Sequence, residues 1–146
     1  MSNNHQFSIA VHIAAALGQN KAHIATSAKL ARSVNASPSF VRRTLSKLSK
    51  SGIVRTSAGK NGRCDLARDP DRITLLDIYK AVEAPQAFSI HTYAPYQSCV
   101  TSRGIKPAME NVLARTQRSM EETLGRTRVS DVIAEIARNA ELHQAA

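Results

Sequence analysis

The sequence of 146 residues has no tryptophan and only three phenylalanines and three tyrosines. Its core must therefore be aliphatic, and the scarcity of aromatic rings argues against a protein that stacks the bases of single-stranded nucleic acid. Two cysteines are too few for the disulfide framework of a small secreted domain, so both are expected as thiols. No apolar run is long enough to span a membrane and no secretion signal is recognisable, which predicts a cytoplasmic protein.

Acidic residues are missing from the first part of the chain, where Asp65 is the first after ten lysines and arginines. Residues 1–72 carry twelve basic and three acidic side chains, a net +9 that equals the charge of the whole chain. Residues 73–146 have eight of each sign and sum to zero. A positive field confined to one half of a protein attracts a polyanion, because each neutralised phosphate releases a condensed counterion.

Apolar residues recur at helical spacing in the basic half. Residues 7–17 are apolar nearly all round and predict a central helix. A second, short helix follows, capped by Thr26 or Ser27. Ser37, with proline after it, marks the start of a third helix that is expected over residues 37–51.

The third helix has an apolar side and a basic side, and with the helix before it forms a helix-turn-helix pattern. Val41, Leu45 and Leu48 form the side that is expected to be buried. The opposite side can read bases, since arginine is able to bond guanine bidentately. The candidate DNA-contacting residues of this helix are Ser37, Ser39, Arg42, Arg43, Lys47 and Lys50.

The segment after Gly52 changes to the spacing of strands and predicts a two-stranded hairpin. The strands are expected at residues 53–56 and 64–68, around the basic turn 58–63. A basic hairpin behind a helix-turn-helix is a wing, placed to touch the neighbouring backbone or the minor groove. The candidate DNA contacts of the wing are Lys60, Asn61 and Arg63.

The second half of the chain predicts a sensor segment and a dimer interface. After a helix over residues 74–83, residues 85–105 show no periodicity and form a candidate functional loop. A long amphipathic helix is predicted from Lys106 to about Gly125, and a last helix is expected after a cap at Ser130. The stripe of the long helix has little to bury against, so a second copy is the expected partner, with packing inside one chain as the alternative. That stripe consists of Met109, Val112, Leu113, Thr116, Met120 and Leu124.

Two other classes of function are alternatives to a specific DNA-binding protein. A non-specific nucleic-acid or nucleoid-binding protein explains the charge, but not the helix-turn-helix and the wing together. An enzyme has little support, because the sequence shows no carboxylate pair, Ser/His/Asp set or zinc spacing. The nearest candidate nucleophile, Cys99, stands apart from His91. The sequence therefore predicts neither catalysis nor a cofactor.

Five segments resemble, in their order and spacing, the Rrf2 family of bacterial transcription regulators. The segments are residues 35–48, 50–54, 59–62, 66–68 and 73–82. The resemblance implies a mostly α fold, a winged helix-turn-helix with a two-stranded wing and a long C-terminal dimerisation helix. It also implies a homodimeric repressor or activator that binds an imperfect palindrome in double-stranded DNA, with helix 37–51 in the major groove and turn 59–63 in the minor groove.

The same resemblance implies that the chain is divided into three parts. Residues 1–84 would form the DNA-binding domain, residues 85–105 the sensor loop, and residues 106–146 the dimerisation helix and the C-terminal helix. The family usually has glycine where Arg63 stands and an aromatic residue where Cys64 stands, so the wing is expected to contact DNA in its own way.

The sensor loop departs from the iron–sulfur members of the family, which hold a cluster with three closely spaced cysteines. Here the loop has Cys99 alone, so no cluster is expected, and atypical ligands such as His91 are the alternative. Cys99 resembles the single cysteine of a cluster-free subgroup. Arg103 and Lys106 nearby would favour its thiolate and oxidation of the sulfur as the signal. A small-molecule signal and an inert, packed cysteine are the alternatives.

Overall fold

The protein is mostly helical, as the spacing of its apolar residues predicts. The computed structural model describes residues 5–19, 25–57 and 62–145. The elements in chain order are α1 (Gln6–Gln19), β1 (Ala25–Thr26), α2 (Ser27–Val34), α3 (Pro38–Lys50), β2 (Val54–Thr56), β3 (Arg63–Leu66), a 3-10 turn (Pro70–Arg72), α4 (Leu75–Ala81), α5 (Val100–Arg126) and α6 (Val129–Gln144). None of these described helices is both long and apolar enough to cross a membrane.

Two compact units make up the chain, and the first is discontinuous in sequence. It combines Met1–Ala84 with Leu124–Ala146, whereas the second unit is Pro85–Thr123. The sequence grouped residues 106–146 together, but α6 belongs to the first unit because it packs against α1 and the 3-10 turn. Val129 at its start is fully buried in the core of that unit.

α1 is the central helix of the first unit, as predicted, and packs against every other helix of that unit and β3. It extends to Gln19 and passes through Gly18 without ending there. A Cβ at Gly18 would lie only 2.6 Å from Cδ1 of Ile133, so the missing side chain lets α6 approach closely. The residues of α1 that are buried in the core are Ala10, Ile13, Ala14, Ala15 and Leu17.

Local capping fixes the helix-turn-helix. The side chain of Thr26 accepts a hydrogen bond from the backbone N–H of Lys29 at the start of α2 (3.3 Å). Asn35 ends α2 in the left-handed conformation, with φ 53° and ψ 49°, which asparagine adopts more easily than most residues. Ser37 then caps α3 by accepting from the N–H of Phe40 (3.3 Å), which confirms the predicted helix start.

The wing is part of a three-stranded antiparallel sheet in the order β1-β3-β2. The predicted hairpin is present, with Val54 opposite Leu66 and Thr56 opposite Cys64. β1 adds a third strand through Ala25, which lies opposite Cys64. Residues 58–61, which contain the predicted tip, lie outside the described residues.

α4 follows the prediction of a helix over residues 74–83. A reciprocal pair of hydrogen bonds, a capping box, holds its N-terminus. The side chain of Thr74 accepts from the N–H of Asp77, and Asp77 Oδ2 accepts from the N–H of Thr74, each at 3.0 Å. The N–H of Leu75 also donates to the carbonyl of Thr127 (2.9 Å). The start of α4 is therefore tied to the chain that leads into α6.

α6 begins one residue before the predicted cap at Ser130, so that cap is wrong. Asp131 Oδ2 accepts a hydrogen bond from the backbone N–H of Arg128 (2.8 Å). The N–H of Val129 donates to the carbonyl of Ile73 (2.9 Å). A partner more than fifty residues away in the sequence thus helps to set the start of this helix.

The second unit consists of an irregular segment and most of α5. α5 begins at Val100, six residues before the predicted start at Lys106, and contains Pro107 in its interior. Proline removes one intrahelical hydrogen bond, the one that would reach the carbonyl of Arg103, but the helix continues through it. The irregular segment of this unit is accordingly residues 85–99, with a turn shortly before α5.

The end of the irregular segment is tied to the first turn of α5. The Tyr93 hydroxyl donates to the carbonyl of Ser102 (2.7 Å), and the N–H of Tyr96 donates to Ser102 Oγ (2.8 Å). The N–H of Ser102 in turn donates to Cys99 Sγ (3.4 Å). The His91 ring stacks on Tyr93 with 4.7 Å between centroids. Ser102 is therefore the anchor of this part of the unit.

Candidate nucleic-acid interface

The exposed side of α3 carries basic and hydroxyl side chains, as the sequence predicts. Its other side is buried through Val41, Thr44, Leu45 and Leu48. This division confirms the predicted apolar stripe and adds Thr44, whose hydroxyl donates to the carbonyl of Phe40 (3.0 Å) and is thereby satisfied. The predicted DNA-contacting residues that lie exposed at this helix are Ser37, Ser39, Arg42, Arg43 and Lys50.

Arg43 lies in the second turn of α3 with its guanidinium over a neighbouring aromatic ring. The distance from its central carbon to the Phe40 centroid is 5.7 Å. A cation over a ring face at this distance is attracted by the ring quadrupole, which orients the guanidinium without using its hydrogen-bond donors. Arg42 and Lys50 make no hydrogen bond or ion pair with the described residues. The donors of all three side chains are available to a ligand.

A cleft of about 410 Å³ separates α3 from the sheet. Arg42 and Lys50 line it from the helix, and Thr56 and Ser57 line it from the sheet. Cys64 also lines the cleft but is only 4% exposed. Cationic side chains opposite hydroxyl groups are the usual partners of phosphate oxygens, so a sugar–phosphate backbone suits this cleft.

Of the three predicted DNA contacts in the wing, the structure describes Arg63. Arg63 is the first residue of β3 and pairs with Asp65, with 3.1 Å between Nε and Oδ2. Both side chains remain about half exposed, so Arg63 is accessible from solvent. Lys60 and Asn61 lie outside the described residues.

Lys47 points away from the other predicted contacts, towards the end of α4. Its ammonium lies 3.4 Å from Glu83 Oε2 and 3.4 Å from the carbonyl of Val82, and it donates to Gln6 Oε1 at 3.4 Å. A cation at a helix C-terminus is favoured by the partial negative charge of the last carbonyls. Three partners inside the protein indicate that Lys47 holds α3 on its neighbours.

We expect Lys47→Met to lower the free energy of unfolding by about 0.5–1.5 kcal/mol, the range of one hydrogen bond and a partly exposed ion pair. The slope of log K for DNA binding against log salt concentration should stay the same, because no phosphate contact is lost. Lys50→Met is the matched control, for which the slope should fall and the stability stay. Urea unfolding and DNA titrations at several salt concentrations measure both quantities, and a reduced slope for Lys47→Met would contradict the assignment.

Cys64 is a buried thiol on the core side of β3. Burial, and after it the negative charge of Asp65, raise the pKa of the Cys64 thiol above its ordinary value. The thiolate is the reactive form of cysteine, so this side chain is protected from alkylation and oxidation at neutral pH. Its place in the core is that of a small apolar residue.

We expect iodoacetamide to modify Cys64 far more slowly in the folded protein than in urea, at a rate that rises with alkaline pH. Below the ordinary thiol pKa, Cys64 should have no effect on the free energy of unfolding. As the pH rises from there towards the raised pKa of the folded state, the free energy of unfolding should fall, because the thiol ionises more easily in the unfolded chain. Unfolding curves of Cys64→Ala should lack that part of the alkaline loss, whereas Cys99→Ser should retain it. Equal alkylation rates of Cys64 in folded and unfolded protein would contradict the burial argument.

Cys99 occupies a different environment, directly before α5. It is half-buried, its sulfur accepts the N–H of Ser102, and its carbonyl accepts the N–H of Arg103 (3.2 Å). The structure thus gives the Cys99 sulfur a backbone N–H as donor, whereas the Cys64 thiol lies among core residues and donates to the carbonyl of Gly62 (4.0 Å).

The predicted dimer stripe of α5 is partly buried within the chain. Leu113, Met120 and Leu124 are half-buried, whereas Met109, Val112 and Thr116 are exposed. Ile105, 38% exposed, extends the exposed part towards the start of the helix. Sequence reasoning missed Ile105 because it placed the helix start at the following residue. We call the exposed residues Ile105, Met109, Val112 and Thr116 the α5 stripe.

Comparison with known proteins identifies similar transcriptional regulators. A family model described as Rrf2, iron-dependent transcriptional regulator, matches residues 3–135. A protein named as an HTH-type transcriptional regulator, YwnA of Bacillus subtilis, is 32% identical over 131 residues, which cover 89% of this chain and 96% of that protein.

Solved structures share the fold. A structure described as a transcriptional regulator from Lactobacillus plantarum is 22% identical and has a TM-score of 0.76, with 97% of this chain and 95% of that chain covered. CymR, described as the global cysteine regulator of B. subtilis, is 20% identical and has a TM-score of 0.68, with 92% and 98% covered. Both likenesses support the predicted mostly α, winged helix-turn-helix fold.

The description of the family model includes iron, but the residues that the structure describes do not fit an iron site. Among the described residues, no three His, Cys, Asp or Glu side chains are grouped so that they could hold a metal ion. Cys64 is enclosed in the core of the first unit, and Cys99 is the single cysteine of the second. An iron–sulfur cluster needs several thiolate or imidazole ligands at one place, which this arrangement does not supply.

Proposed function

Because this chain belongs to the Rrf2 family of transcriptional regulators, a family without enzymatic activity, we propose that it is a homodimeric, sequence-specific repressor. It acts in the cytoplasm on a palindromic operator in double-stranded DNA, with α3 of each copy in the major groove. The observation that carries this proposal is the exposed side of α3, where three cationic side chains stand unpaired among the described residues beside the cleft between α3 and the sheet.

The contacts divide into two kinds in this proposal. Arg43, oriented by Phe40, reads a base edge, since its guanidinium can bond guanine O6 and N7 together. Arg42 and Lys50 bind phosphates at the cleft, and Ser37 and Ser39 add hydroxyl contacts near the helix start. From the wing, Lys60, Asn61 and Arg63 reach the minor groove.

The α5 stripe supports the proposed dimer. Its four apolar or weakly polar side chains lie exposed along one side of a 27-residue helix. Such a helix is about 40 Å long, and pairing it with a second copy buries the stripe around a twofold axis. A palindromic operator is the matching arrangement, because two recognition helices related by a twofold axis read half-sites about one DNA turn apart.

Cys99 is the proposed input of the regulator. Its thiolate attacks one oxygen of hydrogen peroxide and the O–O bond breaks. The sulfur loses two electrons and becomes a sulfenic acid, while the departing hydroxide takes up a proton to form water. The hydrogen bond from Ser102 to the sulfur would change with this oxidation, and with it the first turn of α5.

The test is a titration of the protein onto DNA from its own upstream region and onto scrambled DNA, at near-physiological salt. The protein is used reduced and after mild peroxide treatment. We expect tight, selective binding that oxidation weakens, and Cys99→Ser should bind selectively but ignore the oxidant. Selective binding that ignores oxidant in the parent protein would reject the thiol signal and leave a small-molecule signal.

A general nucleic-acid binder is the second candidate, and the charge of the first unit favours it. It predicts equal affinity for the two DNAs and a steep dependence on salt. A panel of genomic fragments in the same titration separates this outcome from a regulator whose operator lies away from its own gene. Equal binding to the whole panel would reject sequence-specific regulation.

A further inference from the structure

A groove in the second unit has no part in DNA binding or in the α5 stripe. It lies between α5 and the chain that follows α4, and its volume of about 480 Å³ is that of a site for a small organic molecule. Phe88 and Ile90 line it from the irregular segment, and Leu113 and Ala114 line it from α5. The Phe88 ring is 62% exposed, which is unusual for a large aromatic side chain and leaves its face available to a ligand.

One wall of the groove is a strap, residues 87–93, that is attached to α5 at two points. The N–H of Ala87 donates to Gln117 Oε1 (3.1 Å), and the Tyr93 hydroxyl donates to the carbonyl of Ser102 (2.7 Å). Along the helix these two attachment points are about 22 Å apart at 1.5 Å per residue, so the strap runs beside about four turns of α5.

The charges of the lining favour an anion. Lys106, Glu110 and Arg118 line the groove, and none of them pairs with another residue in the described ranges. Glu110 stands one helical turn from Lys106 and offsets its charge, but it is two turns from Arg118. Glu121 and Glu122 follow Arg118 by three and four residues but lie outside the lining, and Glu121 Oε1 accepts a hydrogen bond from Gln117 Nε2 (3.0 Å). Arg118 is therefore the cation of the lining with no lining carboxylate beside it, and a guanidinium binds carboxylates bidentately.

We propose that this groove binds a small amphipathic organic anion. Its carboxylate pairs with Arg118, and its apolar body lies against Phe88, Leu113 and Ala114. At 100° per residue, the groove and the α5 stripe lie roughly 130° apart around α5, so a second copy on the stripe leaves the groove open. The role of this ligand as a signal rests on the proposed function. Its binding to the groove does not.

Three probes test the site on the full chain, with amide chemical shifts measured by NMR. Benzoate has the charge and the apolar body, benzamide has the apolar body alone, and inorganic phosphate has charge alone. We expect benzoate to shift the signals of residues 86–90 and 113–118, benzamide to bind about five- to tenfold more weakly, and phosphate to leave these signals in place. Equal binding of benzoate and benzamide, or benzoate shifts confined to other residues, would overturn the proposal.

Variants separate the groove from general charge effects. Arg118→Gln should weaken benzoate about five- to tenfold and leave benzamide unchanged, whereas Ala114→Trp should fill the groove and remove both. Arg115→Gln is the matched control, because Arg115 lies on α5 outside the groove lining. An effect of Arg115→Gln equal to that of Arg118→Gln would reject the site. Groove signals that move with protein concentration and ignore benzoate would mean that a second copy covers it, which also rejects the proposal.

DNA titrations of the same samples without any probe keep the two proposals apart. Benzoate binding in a protein that fails to select its DNA would reject the proposed regulator and leave the groove assignment in place. Selective DNA binding together with no benzoate shift would do the reverse.

Discussion

Replacement of Arg43 by alanine is expected to weaken binding to the cognate operator about 5- to 150-fold, which corresponds to about 1–3 kcal/mol. The guanidinium lies over Phe40 in the second turn of α3, with its donors free of partners among the described residues. In the major groove these donors can bond guanine O6 and N7, and the alanine variant loses both hydrogen bonds. Affinity for scrambled DNA should change little, so the ratio of the two affinities falls. Fluorescence anisotropy with both duplexes at one fixed salt concentration measures that ratio.

Lys50→Ala is the comparison that separates base reading from charge. This side chain is exposed at the end of α3 and lines the cleft. It should lower the affinities for cognate and scrambled DNA by the same factor and reduce the salt slope by about 0.9, the value for one phosphate contact. If Arg43→Ala also acts equally on both DNAs, Arg43 contacts the backbone and the base assignment is wrong.

Val112→Asp is expected to dissociate the proposed dimer and to lower the apparent operator affinity about 10²- to 10⁴-fold. Val112 is 43% exposed within one copy and lies on the α5 stripe. In a dimer through that stripe an aspartate would be buried without a partner, and its desolvation opposes association. A monomer binds each half-site separately and loses the gain in effective concentration that linked sites provide.

Asn111→Asp is the control for this variant, since it adds the same charge on the neighbouring exposed position of α5 but off the stripe. It should remain dimeric and bind the operator with nearly the parent affinity. Light scattering after gel filtration measures the mass of each variant, and the anisotropy titration measures its affinity. A dimeric Val112→Asp would exclude the α5 stripe as the interface.

Features that depend on neighbouring residues could be predicted from the sequence. Ser37 followed by Pro38 carries its own capping hydrogen bond and a preset φ, so the start of α3 needed no tertiary information. The apolar spacing within α3 likewise predicted which of its sides is buried, and the exposed positions of Arg42 and Arg43 follow from the same spacing.

Features that depend on distant partners could not be predicted. β1 has only two residues, and nothing in its sequence marks it as a strand; it exists because β3 supplies its partner. Pro107 suggested a helix start, yet the turn around Cys99 and Ser102 starts α5 earlier. Lys47 was assigned to DNA from its spacing, and only the packing of α4 places Val82 and Glu83 within its reach.

The discontinuity of the first unit has a consequence for how the protein is made. The core around α1 includes Val129, and α6 fills the space beside Gly18. The ribosome synthesises α3 long before these residues, so the first unit cannot complete its core until α6 has been translated. Folding of this unit is therefore expected late in translation, with the nascent chain exposing the apolar side of α1 in the meantime. A chain shortened before α6 would still contain α3, but it would lack part of the core and is therefore expected to aggregate.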